Sequence, residues 1–252
     1  MMLRGGIARI AGAGVLALGV AACGGEATED ATVPPASGAA RTPGMEEPPP
    51  IPVMGPERRI LAFGDSLFAG YGLDEGESYP ARLEQALRAK GVNADIANAG
   101  VSGDTTAAGR QRLAFTLDAQ EEKPDLVILE LGGNDMLRGL SPAETRANLT
   151  AMLEELERRE IPVLLMGMRA PPNYGEGYQS DFDTIYAELA QQYGAGLVPF
   201  WLESIYDDPG LFQADRIHPT EEGIEELVEA TLSDVRAALP EQDEGDGEDA
   251  PG

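Results

Sequence analysis

The sequence predicts a three-layer α/β/α fold around a five-stranded parallel sheet, and three observations predict it. From Arg59 onward, apolar runs of strand length alternate with stretches that repeat at helical spacing, the pattern of βα units whose parallel strands are covered on both faces. The runs end in small polar or glycine-rich segments, as at Gly64-Asp65-Ser66 and Gly132-Gly133-Asn134-Asp135, which is where open α/β sheets place ligands. No internal repeat breaks this alternation.

The elements follow in order. Residues 60–63 form a first buried strand that ends at Gly64-Asp65-Ser66. Tyr79, Leu83, Ala86 and Leu87 then recur at helical spacing up to Gly91, a helix-ending glycine. A second strand is expected over 95–98, followed by the loop 99–105 and a helix reaching about Leu117. Residues 126–131 (Leu-Val-Ile-Leu-Glu-Leu) are the clearest buried strand. Ser141-Pro142 starts the next helix, with proline suited to the first helical position and Leu149, Met152, Leu153 and Leu156 as its inner stripe. A fourth strand is expected over 163–166, then a Pro- and Gly-rich loop over 169–177 that is placed to line a cleft. A helix carrying Phe182, Ile185, Tyr186, Leu189 and Tyr193 precedes a fifth strand over 196–200. The last helix buries Ile224, Leu227, Val228, Thr231 and Val235 and turns Glu221, Glu222, Glu225, Glu226 and Glu229 to solvent. No histidine stands in register to make that acidic face a metal site. Five strands and about five helices make a flavodoxin-like, doubly wound arrangement.

The ends differ from this body. Residues 1–9 carry two arginines and no acid, and 10–22 are uncharged and rich in Ala, Gly, Val and Leu, a signal-peptide pattern. The run falls short of the 18 or so apolar residues of a spanning helix. It ends in Val20-Ala21-Ala22-Cys23, and Cys23 is the single cysteine, so no internal disulfide forms. Residues 24–58 are dense in Pro, Ala, Gly, Thr and Glu, a composition that predicts a disordered linker. Residues 240–252 hold six acids among Gly, Ala, Pro and Gln and read as a solvated acidic tail. The domain proper is 59–239.

The net charge is −26, and within 59–239 there are 32 acids against 14 basic residues, a balance of −18. Such a surface repels nucleic acid and anionic lipid headgroups, and no basic cluster interrupts it. Only Lys90 and Lys123 are lysines. Lineage bias and adaptation to high salt, where self-repulsion is screened, explain that scarcity equally well.

His218 is the only histidine, three residues after Asp215 and just before Pro219. A serine that attacks an acyl carbon near neutral pH needs a neighbouring base of the imidazole kind to take its proton, and an adjacent carboxylate to hold the ring. Ser66, His218 and Asp215 supply those three residue types. Donors to a developing oxyanion are available from the backbone N–H of Ser66, the backbone N–H of Gly103 and the side-chain amide of Asn134, each in a loop after an expected strand. Singly, each residue has a plainer reading: Asp65 and Ser66 as helix caps, Gly103 as a turn glycine, Asn134 as an Asx turn, and His218 as a surface residue.

Four blocks together resemble those of the SGNH (GDSL-type) hydrolase family: Gly64-Asp65-Ser66-Leu67, Gly103 within Val-Ser-Gly-Asp-Thr, Gly132-Gly133-Asn134-Asp135, and Asp215-Arg-Ile-His218-Pro219. Residues 130–139, Pro172-Asn173-Tyr174-Gly175 and Val198-Pro199-Phe200 are similar to the periplasmic arylesterase, acyl-CoA thioesterase I and lysophospholipase branch. The resemblance implies Ser66 as nucleophile, Asp215 and His218 as its triad partners, and Ser66, Gly103 and Asn134 as the oxyanion hole. It also implies a mobile loop over 136–141 bordering an acyl channel, with Met136, Leu137, Arg138, Gly139 and Leu140 as substrate-binding residues, joined by Pro172, Asn173 and Tyr174. Val20 to Cys23 resembles the lipobox of bacterial lipoproteins, which implies lipidation of Cys23.

The expectation is therefore a monomeric, extracytoplasmic serine esterase, anchored to a membrane through Cys23, that cleaves aryl esters, acyl-thioesters or lysophospholipids without metal or organic cofactor. The rival readings are a carbohydrate O-acetylesterase and a surface lipoprotein that keeps the fold as a binding module.

Overall fold

The structure, a computed structural model, describes residues 53–241. The signal peptide, Cys23, most of the expected linker and nearly all of the acidic tail lie outside the described residues. Strand β1 (Arg58–Gly64) is followed by a single-turn helix α1 (Ser66–Ala69), helix α2 (Tyr79–Ala89), strand β2 (Ala94–Gly100), helix α3 (Thr106–Asp118) and strand β3 (Leu126–Leu129). Then come the short helix α4 (Gly133–Leu137), helix α5 (Pro142–Arg158), strand β4 (Val163–Met166), helices α6 (Glu176–Asp183) and α7 (Ile185–Tyr193), strand β5 (Gly196–Val198) and helix α8 (Glu221–Ala238).

All strand pairings are parallel and the order is β2-β1-β3-β4-β5, a doubly wound sheet whose direction of winding reverses between β1 and β3. The central strands β1, β3 and β4 are apolar because both faces are covered: Ile60, Leu61, Ala62 and Phe63 of β1 and Leu126 to Leu129 of β3 are all buried. Helix α2 packs beside α8, and α3, α5 and α7 pack in succession. Local sequence signals agree with the helix starts. Ser141 caps α5 by accepting from Ala143 N–H at 3.2 Å, Thr105 caps α3 from Ala108 N–H, and Thr220 caps α8 from Gly223 N–H.

Several details depart from the sequence reading. Strand β3 ends at Leu129 rather than Leu131, although Glu130 N–H still bonds Phe63 O, and β2 runs Ala94–Gly100 rather than 95–98. The helix expected across Phe182 to Tyr193 is two helices meeting at Thr184, and Asp183 at the junction turns its carboxylate to Ala170 N–H. Strand β5 stops at Val198 rather than Phe200, because Gly167 N–H and O leave the ladder to bond Val198 O and Trp201 N–H. The one-turn helices α1 and α4 have too few residues to show a period.

Register decides what the fold places together. Phe63 of β1 stands opposite Ala99 of β2 and Leu129 of β3, so the segments after these three strands leave the sheet side by side. Val101 N–H donates to Gly64 O and Glu130 N–H to Phe63 O, extending the contact one step past the strands. Beneath this rim, Phe68 of α1 stacks on Tyr79 of α2 with centroids 5.3 Å apart, and the edge of Trp201 packs against both. These buried aromatics contribute large apolar area under the Ser66 turn.

Candidate active site

The turn after β1 is held by Asp65 and Arg112. Asp65, only 2% exposed, accepts from Leu67 N–H at 3.0 Å through Oδ1 and so caps α1, as its position before a helix suggests. Arg112 of α3 donates to Gly64 O at 2.9 Å, pairs with Asp104 at 2.6 Å and lies over the Phe63 ring. With its backbone fixed in this way, Ser66 opens α1 with its side chain on a cavity of about 540 Å³.

His218 reaches the same cavity from the other side. Its Nε2 lies 2.8 Å from Ser66 Oγ and its Nδ1 lies 2.7 Å from Asp215 Oδ2. An ionised carboxylate only accepts, so Nδ1 carries the ring proton and Nε2 is free to accept from the serine hydroxyl. Asp215 is built to stay ionised. The hydrogen bond from His218, then the backbone N–H groups of Ile217 and His218, hold its pKa down at about 2. The loop is clamped by Gln213, whose N–H donates to His218 O at 2.7 Å and whose Nε2 donates to Tyr71 O at 2.7 Å and Pro219 O at 2.9 Å. The Tyr71 ring lies 4.4 Å from the imidazole, tilted against it.

Gly103 and Asn134 stand on the cavity wall beside Ser66. Gly103 adopts φ +85, the left-handed region that suits glycine, so the backbone itself requires glycine there. Asn134 lies in α4, which follows the end of β3 and is fastened by the buried Asp135: its carboxylate accepts from Thr106 N–H at 2.8 Å and from the hydroxyls of Thr106 and Thr145. Asn134 Nδ2 donates one hydrogen to Asp65 Oδ2 at 2.8 Å, which leaves its second amide hydrogen for a ligand.

Of the expected substrate-binding residues, Met136 and Leu137 line the cavity. Arg138 instead donates to Gly103 O at 2.8 Å, tying α4 to the Gly103 loop. Gly139, Leu140, Pro172, Asn173 and Tyr174 stand back from the walls. Tyr174 packs on Tyr178, 5.3 Å between centroids, and Tyr178 OH donates to Leu140 O, so these groups bind each other. Their neighbour Pro171 does line the cavity, with Met168, Leu202, Phe212, Arg216 and Ile217. Sequence reading passed over Tyr71, Arg112, Gln213 and Arg216. For Arg216 a signal existed, since it stands inside the Asp215 to His218 block; it takes the left-handed φ of +59 that few non-glycine residues adopt. A second depression of about 530 Å³, between Leu153, Tyr193 and Ala238, brings together no serine or histidine.

Among the described residues no helix is long and apolar enough to cross a membrane. The profile of the GDSL-like Lipase/Acylhydrolase family matches residues 62–225. The chain is 44% identical over 160 residues to "Esterase TesA" of Pseudomonas aeruginosa, covering 64% of this chain and 79% of that protein. It is 39% identical over 160 residues to "Thioesterase 1/protease 1/lysophospholipase L1" of Escherichia coli K12, covering 64% and 74%. Among solved structures, "AlinE4, a SGNH-hydrolase family esterase" is 67% identical, with a TM-score of 0.64 over 75% of this chain and all of that one. With the family profile spanning the sheet and most of the helices around it, this chain belongs to the GDSL-like lipase/acylhydrolase family and is a carboxylic-ester hydrolase.

Proposed function

We propose that the enzyme cleaves carboxylic esters and thioesters through an acyl-enzyme on Ser66, with Asp215 and His218 as its partners and the N–H groups of Ser66 and Gly103 and the Asn134 amide as oxyanion donors. The observation that carries this reading is the unbroken hydrogen-bonded series Asp215, His218, Ser66 at the wall of an apolar cavity. In the first half, Ser66 Oγ attacks the acyl carbon as His218 Nε2 takes its proton, and the carbonyl oxygen becomes an oxyanion. The tetrahedral species then collapses, and His218 returns the proton to the departing alcohol or thiol. In the second half, water attacks the ester on Ser66 with His218 again as base, releasing the acid and restoring the serine hydroxyl.

Substrates with an apolar acyl chain suit the walls built by Met136, Leu137, Met168, Leu202, Phe212 and Ile217. The relatives' names add thioesters and lysophospholipids to that range, and the sequence resemblance adds aryl esters. A monomeric enzyme is part of this reading. Residues 59–239 are read as the catalytic domain, borne on a linker from a lipidated Cys23 outside the cytoplasm. The basis for the anchor is the Val20 to Cys23 motif after an uncharged apolar run, and two or more acyl chains there would give stable membrane attachment.

A fluorophosphonate probe tests the chemistry. The full chain is expected to be labelled at Ser66 and to lose ester hydrolysis in proportion; folded protein that resists labelling overturns the assignment. For the anchor, Cys23→Ser is expected to release the enzyme from the membrane fraction of expressing cells. A wild type found only in the soluble fraction sinks that part.

A further inference from the structure

One buried acid has no task in the mechanism above. Glu130 follows β3, is 0% exposed, and sits directly under the Ser66 turn. Its Oε2 accepts from Asp65 N–H at 3.2 Å, which seats its carboxyl beside that of Asp65. A Cβ on Gly64 would stand 2.8 Å from Oε2, so the turn passes over Glu130 with no room to spare. The remaining oxygen, Oε1, has no partner.

Two carboxylates in contact in a dry interior repel, so one of the pair keeps its proton. Asp65 faces Leu67 N–H through one oxygen and the Asn134 amide through the other, with the Glu130 carboxyl as a third neighbour. An oxygen pair surrounded by two donors behaves as the ionised member. Glu130, with an unpartnered buried oxygen, is the member that carries the proton, and burial together with the Asp65 charge pushes its pKa well above the ordinary carboxyl range.

We propose that Glu130 is a positioning residue for the oxyanion hole: as a neutral acid it fixes the serine turn by accepting from Asp65 N–H, and Asp65 in turn holds Asn134 Nδ2 in place. The inference rests on the reading of Asn134 as an oxyanion donor. The relay costs the active site no exposed charge, since the one negative charge is shared behind the serine turn. It also explains why the Asp beside the nucleophile needs more than a helix-capping role, because its second oxygen orients the amide across the cavity.

The test compares three single variants of the full chain on a p-nitrophenyl ester. Glu130→Gln keeps a neutral acceptor for Asp65 N–H, so kcat is expected within about threefold of wild type. Glu130→Leu keeps the volume and removes that acceptor, so kcat is expected to fall about 10- to 100-fold with KM changed less than about twofold, short of the roughly 10²- to 10³-fold cost of deleting an oxyanion donor outright. A Leu variant with wild-type kcat, or a Gln variant as impaired as the Leu variant, overturns the proposal. Should Glu130→Leu fail to fold, infrared spectroscopy decides. The carbonyl stretch of a protonated carboxylic acid is expected in wild type at neutral pH and absent in an active Glu130→Gln; a wild type without that band also overturns it. Asn134→Ala separates the two levels. Full activity in that variant removes the oxyanion reading itself, whereas an impaired Asn134→Ala beside an unimpaired Glu130→Leu removes only the relay.

Discussion

His218 Nε2 stands 2.8 Å from Ser66 Oγ although 152 positions of sequence separate the two residues. One comes from the turn after the first strand and the other from the loop before the last helix. The Gln213 side chain ties the two segments together by bonding the carbonyls of Tyr71 and Pro219. The contact is therefore a property of the folded sheet rim, and either side chain can be removed without opening the core.

Ser66→Ala and His218→Ala are each expected to lower kcat for a p-nitrophenyl ester by about 10⁴-fold or more, the scale set by triad residues elsewhere. Circular dichroism and melting temperature should stay close to wild type, since both positions are only partly buried at the cavity wall. Activity within tenfold of wild type in either folded variant would remove the acyl-enzyme reading.

Asp215 does not set the acid side of the pH profile. It is held ionised down to about pH 2 by the His218 hydrogen bond, so it does not change state in the working range and holds the ring throughout. Asp215→Asn takes that charge away and is expected to lower kcat by about 10⁴-fold at neutral pH. A folded variant within tenfold of wild type would mean that Asp215 does not orient the base.

Asn134→Ala removes a donor that acts once charge has moved onto the substrate oxygen. The loss should appear in kcat, about 10²- to 10³-fold, with KM little changed. Steady-state kinetics with a short-chain ester provide the check, and a rise in KM at constant kcat would instead make Asn134 a ground-state contact.

How far all this could be read from sequence depends on the kind of feature. Strand β4 was legible to the residue, because four apolar residues bounded by Pro162 and Gly167 are buried on both faces. The rim positions of Ser66, Gly103 and Asn134 were legible because each follows an expected strand, and a parallel sheet puts such ends on one side. The loop after β4 was legible only as a loop. That Pro171 faces the cavity while Tyr174 turns to Tyr178 depends on side-chain directions that carry no period. Glu130 was read as part of a strand, and nothing in Leu-Glu-Leu says that the carboxyl meets Asp65 across the turn. Gln213 and Arg112 were invisible for a similar reason, since each acts through a backbone carbonyl distant in sequence.

The cavity walls predict a chain-length dependence. Each methylene that moves from water to the apolar wall contributes about 0.8 kcal/mol, close to a fourfold gain in kcat/KM per step. Along a series of p-nitrophenyl esters, kcat/KM should climb from acetate and level off once the cavity of about 540 Å³ is filled. Leu137, 51% exposed at the rim, meets only the longer chains, so Leu137→Asp should penalise those and leave acetate within about twofold. Equal losses across the series would place Leu137 outside the acyl path.

Glu130 makes a stability prediction with a definite sign. A carboxyl whose folded pKa is raised contributes its stability fully below the unfolded value, 4.5 for this residue, and loses it as pH rises, because only the unfolded chain releases the proton. Burial sets this first, and the charge of Asp65 on the serine turn raises Glu130 further; Tyr186 on α7 and Asp135 on α4 face the same buried region. Glu130→Gln cannot ionise in either state. It should therefore match wild type within about 1 kcal/mol near pH 4 and gain on it above that, by at most about 1.4 kcal/mol per pH unit. For a domain of this size each kcal/mol moves the melting temperature by roughly 2–4 °C, so melts at about pH 5 and about pH 8 resolve the trend. A difference that stays constant with pH, or that shrinks as pH rises, would show that Glu130 is ionised in the folded protein.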